Sequence, residues 1–125
     1  MTALDAKLGF DGIRRGLVVG PAPDDVVAQL HNPHRRPGAQ PYDVILAFCP
    51  DGRSLDRHAT TLPARLTPKG VLWLCWLKRA SGVPTDIGES DIHSVGLATG
   101  LVDNKVAAID EKWSGFRFVH RRQPR

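Results

Sequence analysis

The sequence predicts an α/β fold, a small three-layer domain whose central sheet is mainly parallel. Two apolar runs lead to this prediction, DVILAFC at residues 43–49 and VLWLCWL at residues 71–77. Neither run alternates polar with apolar residues, so each strand is expected to be buried on both faces, as in parallel sheets covered by helices. A helical pattern lies between the runs, and the three segments form a crossover that we expect to be right-handed.

Length and composition predict one globular domain. It has 125 residues, 42% of them hydrophobic and 24% charged, and no apolar run approaches the roughly 18 residues of a membrane span. Residues 1–10 carry no apolar stretch of the signal-peptide kind. Both cysteines lie inside apolar runs, which predicts buried, unreactive thiols in a reducing cytoplasm. We therefore expect one cytoplasmic domain over residues 1–120 and a basic tail at residues 121–125, with no membrane contact.

The first third of the chain predicts one strand, one short helix and a long loop. The strand at residues 17–20 ends in a Pro-Ala-Pro turn, after which Asp24 or Asp25 is expected to cap a helix that continues to Leu30. Residues 31–41 contain three prolines and one glycine, a composition that excludes a regular element.

The segment between the apolar runs predicts a helix in two pieces. Ser54 lies at a helix-start position, and Leu55 and Ala59 begin an apolar pattern at helical spacing. Pro63 falls inside this pattern and is expected to kink or divide the helix. Residues 67–70 (TPKG) are expected to form a turn before the second run.

The last third predicts a helix and a hairpin. Residues 88–99 carry apolar residues at helical spacing, and Gly100 supplies a left-handed stop. Residues 105–111 and 116–120 alternate more clearly around KWSG at residues 112–115, which predicts an antiparallel hairpin at the end of the sheet. The complete prediction is three parallel strands, a C-terminal antiparallel hairpin and about three helices.

An L-T-P-K-G segment at residues 66–70 separates the predicted helix from the second apolar strand. This segment, with the strand, helix and hairpin that follow, resembles the C-terminal half of a class I methyltransferase. In that family an L-x-P-G-G turn precedes the fifth strand, and the last two strands form an antiparallel pair. The resemblance implies a shortened, Rossmann-like methyltransferase sheet.

Motifs near both ends resemble a second, more closely similar family. Residues 100–106 are G-L-V-D-N-K-V and residues 113–118 are W-S-G-F-R-F, in the order and at the spacing of that family, and L-G at residues 8–9 and V-V-G-P-A-P at residues 18–23 also match. The family consists of small bacterial proteins known only as a domain of unknown function. The resemblance covers nearly the whole chain except residues 31–40, and it implies no activity.

The region where methyltransferases bind their cofactor departs from the pattern. A cofactor-binding first loop needs glycines whose backbone N–H groups approach the ligand, and Pro21 and Pro23 each remove such a donor. Between Leu30 and Tyr42 the sequence has no second strand and no acidic residue to hold ribose hydroxyls. We therefore expect no cofactor, and in particular no S-adenosylmethionine bound in the usual way.

Polar residues follow the second apolar run and form the first candidate ligand site. Lys78, Ser81, Thr85 and Asp86 offer one cation, two hydroxyls and one carboxylate where ligands bind open α/β sheets, and the turn at Gly82 can offer backbone donors. The competing interpretation, which we favour, is that Thr85 or Asp86 caps the next helix and Lys78 pairs with an acid.

Aromatic residues around the expected hairpin turn form a second candidate. Trp113 and Arg117 are suited to stacking on a flat ligand, with Ser114 beside them. The favoured alternative folds Trp113 onto the sheet edge and places Phe116 and Phe118 in the core, because they alternate with Arg117.

The remaining polar residues give weaker signals. Asp103, Lys105 and Asp110 interrupt an apolar region, and we interpret them as exposed positions or an ion pair in preference to an acid–base group. The five histidines are His31, His34, His58, His93 and His120. His58 and His93 have no partner at helical spacing, and His31 and His34 lack a second ligand pair, so no metal is expected.

Three functions stay open from the sequence. The favoured one is a non-catalytic domain that binds a small ligand or a protein partner at the carboxyl edge of the sheet. The second is a transferase-type enzyme in which Lys78, Thr85 and Asp86 orient a substrate. The third is a nucleic-acid binder that uses the basic segments at residues 31–36 and 120–125, although a solvated surface is the favoured interpretation of these segments. An exposed edge strand would allow pairing with a second copy.

Overall fold

A five-stranded sheet forms the centre of the computed structural model, which describes residues 3–12 and 14–121. The strands are β1 (Gly16–Val19), β2 (Tyr42–Phe48), β3 (Leu66–Leu77), β4 (Val102–Ala108) and β5 (Trp113–Val119). Their order across the sheet is β1-β2-β3-β5-β4. The first three strands are parallel and β5 is antiparallel to both its neighbours, so β4 runs in the direction of the first three. The predicted α/β class, parallel strands and terminal hairpin are confirmed.

Four helices cover the sheet instead of the three that the sequence predicts. They are α1 (Leu4–Leu8), α2 (Asp24–Val27), α3 (Gly52–Thr61) and α4 (Glu89–Ala98), with 3-10 turns at Pro63–Arg65 and Arg79–Ser81. The additional helix, α1, has five residues, too few for a periodic apolar pattern to show. The division of the central helix at Pro63 is confirmed, since α3 ends two residues earlier and a 3-10 turn follows. No helix in the described ranges is both long and apolar enough to cross a membrane.

The core has two parts, one on each face of the sheet. On one face, Leu55 of α3 and Ile92 of α4 pack with sheet residues that include Trp76. On the other face, Leu8 of α1 packs with Trp73, whose indole Nε1 donates a hydrogen bond of 2.9 Å to the Leu8 carbonyl. Every residue from position 44 to 48 and from 72 to 77 is buried, which confirms the prediction of strands that are apolar on both faces.

The start of β3 corrects the turn predicted for residues 67–70. These residues belong to β3 and form a wide bulge, because Tyr42 pairs with Leu66 while Val44 pairs with Val71. Between these two pairs, one residue of β2, Asp43, faces four residues of β3. The Thr67 hydroxyl donates to Asp43 Oδ1 at 3.2 Å, which keeps the bulged segment beside β2 instead of letting it turn away.

The hairpin turn lies three residues before its predicted position. It occupies residues 109–112, because Asp110 Oδ1 accepts hydrogen bonds of 2.8 Å from the backbone N–H groups of Lys112 and Trp113. Trp113 is consequently the first residue of β5 and not part of the turn. The first short helix also differs: α2 begins after Pro23 and ends at Val27, so the two aspartates lie in its first turn and do not cap it.

One glycine sets how closely α4 approaches the sheet. Gly96 is buried against the ring of Phe118, and a Cβ at position 96 would overlap that ring. The helix ends as predicted, with Gly100 in the left-handed conformation at φ 93°.

Candidate functional site

A cleft of about 850 Å³ opens at the carboxyl end of β3. Its floor includes Trp76 and Leu77 from β3 and Ser114 from β5, and its walls are the loop at residues 82–88 and the first turn of α4. Trp76 stacks on Phe116 with 5.2 Å between ring centroids, which fixes the plane of the indole. The volume lies within the range of roughly 300–1,000 Å³ that is typical of small-molecule sites.

The wall loop is tied to the end of the neighbouring strand. Thr85 Oγ1 donates to the Pro50 carbonyl at 2.8 Å, and Asp86 Oδ1 accepts from the Gly52 N–H at 2.8 Å. Both predicted site residues therefore hold the loop across the end of β2. One oxygen of the Asp86 carboxylate, Oδ2, makes no hydrogen bond within the described residues.

The capping role that the sequence favours for Thr85 and Asp86 is wrong. Gly88 is the N-cap of α4, and its N–H donates to Asp91 Oδ2 at 2.9 Å. The N-cap thus lies two residues beyond Asp86, and the Asp91 carboxylate from the first turn of α4 accepts its backbone N–H. This arrangement leaves Asp86 able to reach α3.

Lys78 forms one side of the cleft floor. Its backbone N–H donates to the Lys112 carbonyl and its Nζ donates to the Asp110 carbonyl, each at 2.8 Å. The partner of the ammonium group is a backbone oxygen and not the carboxylate expected from the sequence. The charge of Lys78 is therefore held in place beside the cleft without being neutralised by an ion pair among the described residues.

The turn at Ser81 and Gly82 does not provide the anion-binding amides that its sequence suggests. The Ser81 N–H donates to the Lys78 carbonyl at 3.0 Å and the Gly82 N–H donates to the Arg79 carbonyl at 3.2 Å. Gly82 lines the cleft with φ 74°, whereas Ser81 does not line it and its hydroxyl accepts from Val83.

The second group of candidate residues is divided by the sheet. Trp113 is 6% exposed and meets the Phe48 ring edge-on at 4.9 Å, so it packs in the core and not on the sheet edge, where the favoured interpretation places it. Phe116 and Phe118 pack on the α3–α4 face, whereas Arg117 lies on the opposite face, 5.9 Å from the Trp73 ring.

The structure thus brings five of the eight predicted ligand residues to one cleft. They are Lys78, Gly82, Thr85, Asp86 and Ser114. The sequence analysis misses Trp76, Arg79, Glu89 and Ser90, which also line it. The signal for the last two was their position in the first turn of the predicted helix, directly after the polar loop. Nothing in an unbroken apolar run distinguishes Trp76 from its buried neighbours.

The carboxyl end of β1 differs from that of β3 in its backbone contacts. Gly20 adopts φ 86° and lies so close to the Phe48 carbonyl oxygen that a Cβ would overlap it. Pro21 and Pro23 have no N–H, and the N–H of Ala22 between them donates to the Gly20 carbonyl at 2.8 Å. No amide of these three residues is left to grip a ligand.

The outer side of the same end is occupied by the proline-rich loop. Arg35 donates through Nε to the Val18 carbonyl at 3.2 Å and through Nη2 to the Gly20 carbonyl at 3.3 Å. His34 forms a single parallel bridge with Leu17. The described loop therefore contains no second strand, as predicted, and one bridge residue takes its place beside β1.

A histidine–aspartate pair lies outside the cleft. His93 Nε2 is 3.1 Å from Asp103 Oδ1, so the prediction that His93 stands alone is wrong. Asp103 consequently does not pair with Lys105, which is exposed at the edge strand. No group of three or more metal-ligating side chains occurs among the residues that the structure describes.

Burial shifts the pKa values of both cysteines and of His58, and hydrogen bonds shift that of Asp51. Desolvation raises the pKa of Cys49 to about 12 and raises that of Cys75 well above its usual value, so both thiols are unreactive as predicted. Desolvation, with Arg57 beside it, lowers the pKa of His58. The Ser54 N–H and hydroxyl lower the pKa of Asp51, the N-cap of α3.

Comparison with solved structures identifies the fold. NodS, an N-methyltransferase from Bradyrhizobium japonicum, aligns with a TM-score of 0.60 and 13% identity over 95% of this chain and 91% of that chain. The CcbJ methyltransferase from Streptomyces caelestis aligns with a TM-score of 0.59 and 9% identity over 95% of this chain and 94% of that chain. The chain has a methyltransferase-like fold.

Other methyltransferase-like structures are matched less completely. A TehB-like SAM-dependent methyltransferase from Corynebacterium glutamicum aligns with a TM-score of 0.50 and 10% identity, and the alignment covers 66% of this chain and 49% of that chain. This chain therefore spans about half the length of the TehB-like protein. No family model and no curated protein matches the sequence.

Proposed function

We propose that this methyltransferase-like domain is a non-catalytic module that binds a small ligand in the cleft at the carboxyl end of β3. The observation that carries the proposal is the contrast between two ends of neighbouring strands. The end of β1 has no amide available at residues 21–23, whereas the end of β3 has an open cleft. Ligand binding without S-adenosylmethionine follows from this contrast.

The chemistry of the cleft favours a small molecule with a flat apolar part and polar substituents. The indole of Trp76 supplies an apolar floor. Arg79 and Glu89 stand on its rim, and neither side chain forms a hydrogen bond or ion pair within the described residues. A ligand that carries both a donor and an acceptor group would use both charges.

A transferase is the rival function, because the structures with this fold include methyltransferases. The two functions differ in what stabilises the folded protein. A ligand that binds only the native state raises the melting temperature. We expect S-adenosylmethionine and S-adenosylhomocysteine to leave the melting temperature unchanged at millimolar concentration. A dose-dependent rise with either compound would overturn the non-catalytic assignment.

A pair of serine variants tests the cleft itself. Ser90 lines the cleft and Ser94 lies one turn further along α4, exposed and outside it. We expect a thermal-shift screen of small aromatic acids and amines to yield compounds that stabilise the wild-type protein. Ser90→Trp should abolish the shift by filling the mouth of the cleft, while Ser94→Trp should retain it. Equal shifts in both variants, or no stabilising compound in the screen, would refute the site.

A further inference from the structure

The amino-terminal edge of the sheet, opposite the cleft, gathers basic side chains from several elements. Arg14 and Arg15 directly precede β1, and Arg65 directly precedes β3. Lys69 lies in the bulge at the start of β3. Arg121 follows β5, whose carboxyl end lies at this edge because β5 is antiparallel to β3. We call these five residues the basic edge.

The basic edge is exposed and is not neutralised by carboxylates. All of its members are exposed except Arg15, which is half-buried. Of the nearby acids, Asp43 accepts from the Arg15 N–H at 3.0 Å and from Thr67, and Asp103 pairs with His93. Asp11, three residues before Arg14, is exposed and forms no salt bridge with the basic edge among the described residues. Within the described ranges, the pair of His93 and Asp103 is the one contact shorter than 4.0 Å between basic and acidic side chains.

Two guanidinium groups of the basic edge converge on one glycine. Arg65 Nη1 donates to the Gly38 carbonyl at 3.3 Å, and a Cβ on Gly38 would lie 2.8 Å from Arg15 Nη2. Arg15 also packs over the Tyr42 ring at 4.5 Å and donates to its hydroxyl at 3.4 Å. Like charges held this close, with no carboxylate between them, favour the approach of an anion.

Six acidic residues lie at the other edge of the sheet. Each strand that runs in the common direction is followed by at least one acid; these are Asp24, Asp25, Asp51, Asp86, Asp110 and Glu111. The molecule, with its net charge of +4, is therefore positive at one edge and mixed or negative at the other. A polyanion approaching it is steered to the basic edge.

We propose that the basic edge binds the phosphate backbone of double-stranded nucleic acid without reading its sequence. Neighbouring strands lie about 4.8 Å apart, so the charges from β1 to β5 extend over about 14 Å and can meet several phosphates. The aromatic rings at this edge, Tyr42 and Phe118, are fully buried. Among the described residues of this edge no phenyl, phenol or indole ring is exposed for unpaired bases to stack on, and a duplex is favoured over a single strand.

The test uses two double variants with the same change in charge. Arg14→Glu with Lys69→Glu alters the basic edge, and Arg53→Glu with Lys112→Glu alters exposed residues near the opposite edge. Binding to a labelled DNA duplex of about 20 base pairs is measured by fluorescence anisotropy from about 20 to 200 mM KCl. For the wild-type protein, we expect log K to fall with log salt at a slope of about −3 to −4.

The variants should respond differently if the basic edge binds the backbone. Changing Arg14 and Lys69 should weaken binding at least about tenfold and make the slope shallower by about 2, since two phosphate contacts are lost. The control pair should weaken binding less than about threefold, through net charge alone. Arg121→Glu, a single change beyond the last strand, should make the slope shallower by about 1.

Several outcomes would overturn the proposal. Absence of duplex binding at the lowest salt would do so, as would equal losses in both double variants, which would indicate a response to net charge only. Tighter binding to a single strand of the same length would contradict backbone recognition of a duplex. Binding to phosphatidylserine vesicles but not to DNA, with the same variant dependence, would identify a membrane surface as the partner instead.

Discussion

The carboxyl ends of β1 and β3 lie in the same sheet and point the same way, but they differ in what they offer a ligand. The end of β1 is closed by prolines, by the contact of Gly20 with Phe48 and by Arg35. The end of β3 opens into a cleft because a polar loop crosses to the end of β2. The shared fold determines where strands end, whereas the loops determine which end opens into a cleft.

The largest difference in stability between the two ends is expected from substituting one glycine at each. Gly20 and Gly82 both have positive φ, but a Cβ would overlap the Phe48 carbonyl oxygen at position 20 and meet nothing within 4 Å at position 82. We expect Gly20→Ala to destabilise the protein by about 3 kcal/mol and Gly82→Ala by about 1 kcal/mol. Urea unfolding followed by circular dichroism measures both, and equal losses would show that the β1 end is not tightly packed.

Removing one hydroxyl should loosen the proline-rich loop, which contributes Arg35 to the closed end. Tyr42 Oη accepts from the Gly38 N–H at 2.8 Å and lies 2.8 Å from His34 Nδ1, so it anchors the proline-rich loop beside β1. Tyr42→Phe should lower the free energy of unfolding by about 1 kcal/mol because the partly buried Gly38 N–H loses its acceptor. Thr61→Val removes an exposed hydroxyl and should change stability by less than about 0.5 kcal/mol.

Removing the hydroxyl of Thr85 should loosen the open end by a similar amount. Thr85→Val deletes the bond to the Pro50 carbonyl, which is worth about 1 kcal/mol, and Thr85→Ser should retain most of it. Limited digestion with trypsin reports the change, because Arg79 lies at the start of the same loop. Cleavage after Arg79 should accelerate in the valine variant only; identical rates in all three proteins would mean that this bond does not hold the wall.

The smallest effect is expected from protonation of His58 in α3. This helix begins after β2, which lies between β1 and β3 in the sheet. Burial lowers the pKa of His58, so the folded protein binds a proton there less readily than the unfolded chain does. The contribution of His58 to stability is therefore complete above about pH 6.5 and is lost as the pH falls below that value. His58→Leu should reduce the loss of unfolding free energy between about pH 7.5 and 5.5. An unchanged loss would place the pH dependence on other groups.

Most of the fold is predictable because it follows from burial. The two apolar runs become β2 and β3, and Pro63 divides the helix between them. Elements that depend on distant contacts are not predictable in this way. The bulge at residues 67–70 is held by Asp43, and α1 is held against Trp73, and neither partner is near in sequence.

The candidate site is predictable in position but not in detail. The polar loop after the second apolar run does line the cleft, because ligands and loops share the carboxyl edge of an α/β sheet. The roles of its residues are different from those expected, since Thr85 binds the backbone just after β2 and Asp86 binds the first residue of α3, and neither caps α4. Arg117 is close in sequence to Ser114, yet strand alternation sends its side chain to the other face.

The contact between Gly96 and Phe118 sets the width of the cleft. The helix α4 supplies one wall and rests on the sheet through a residue with no side chain, so its height above the strands is set by a contact that lies outside the cleft. A bulkier residue at position 96 would push α4 away from the Phe118 ring and widen the cleft. The width of the cleft is thus adjustable from position 96, which does not line it.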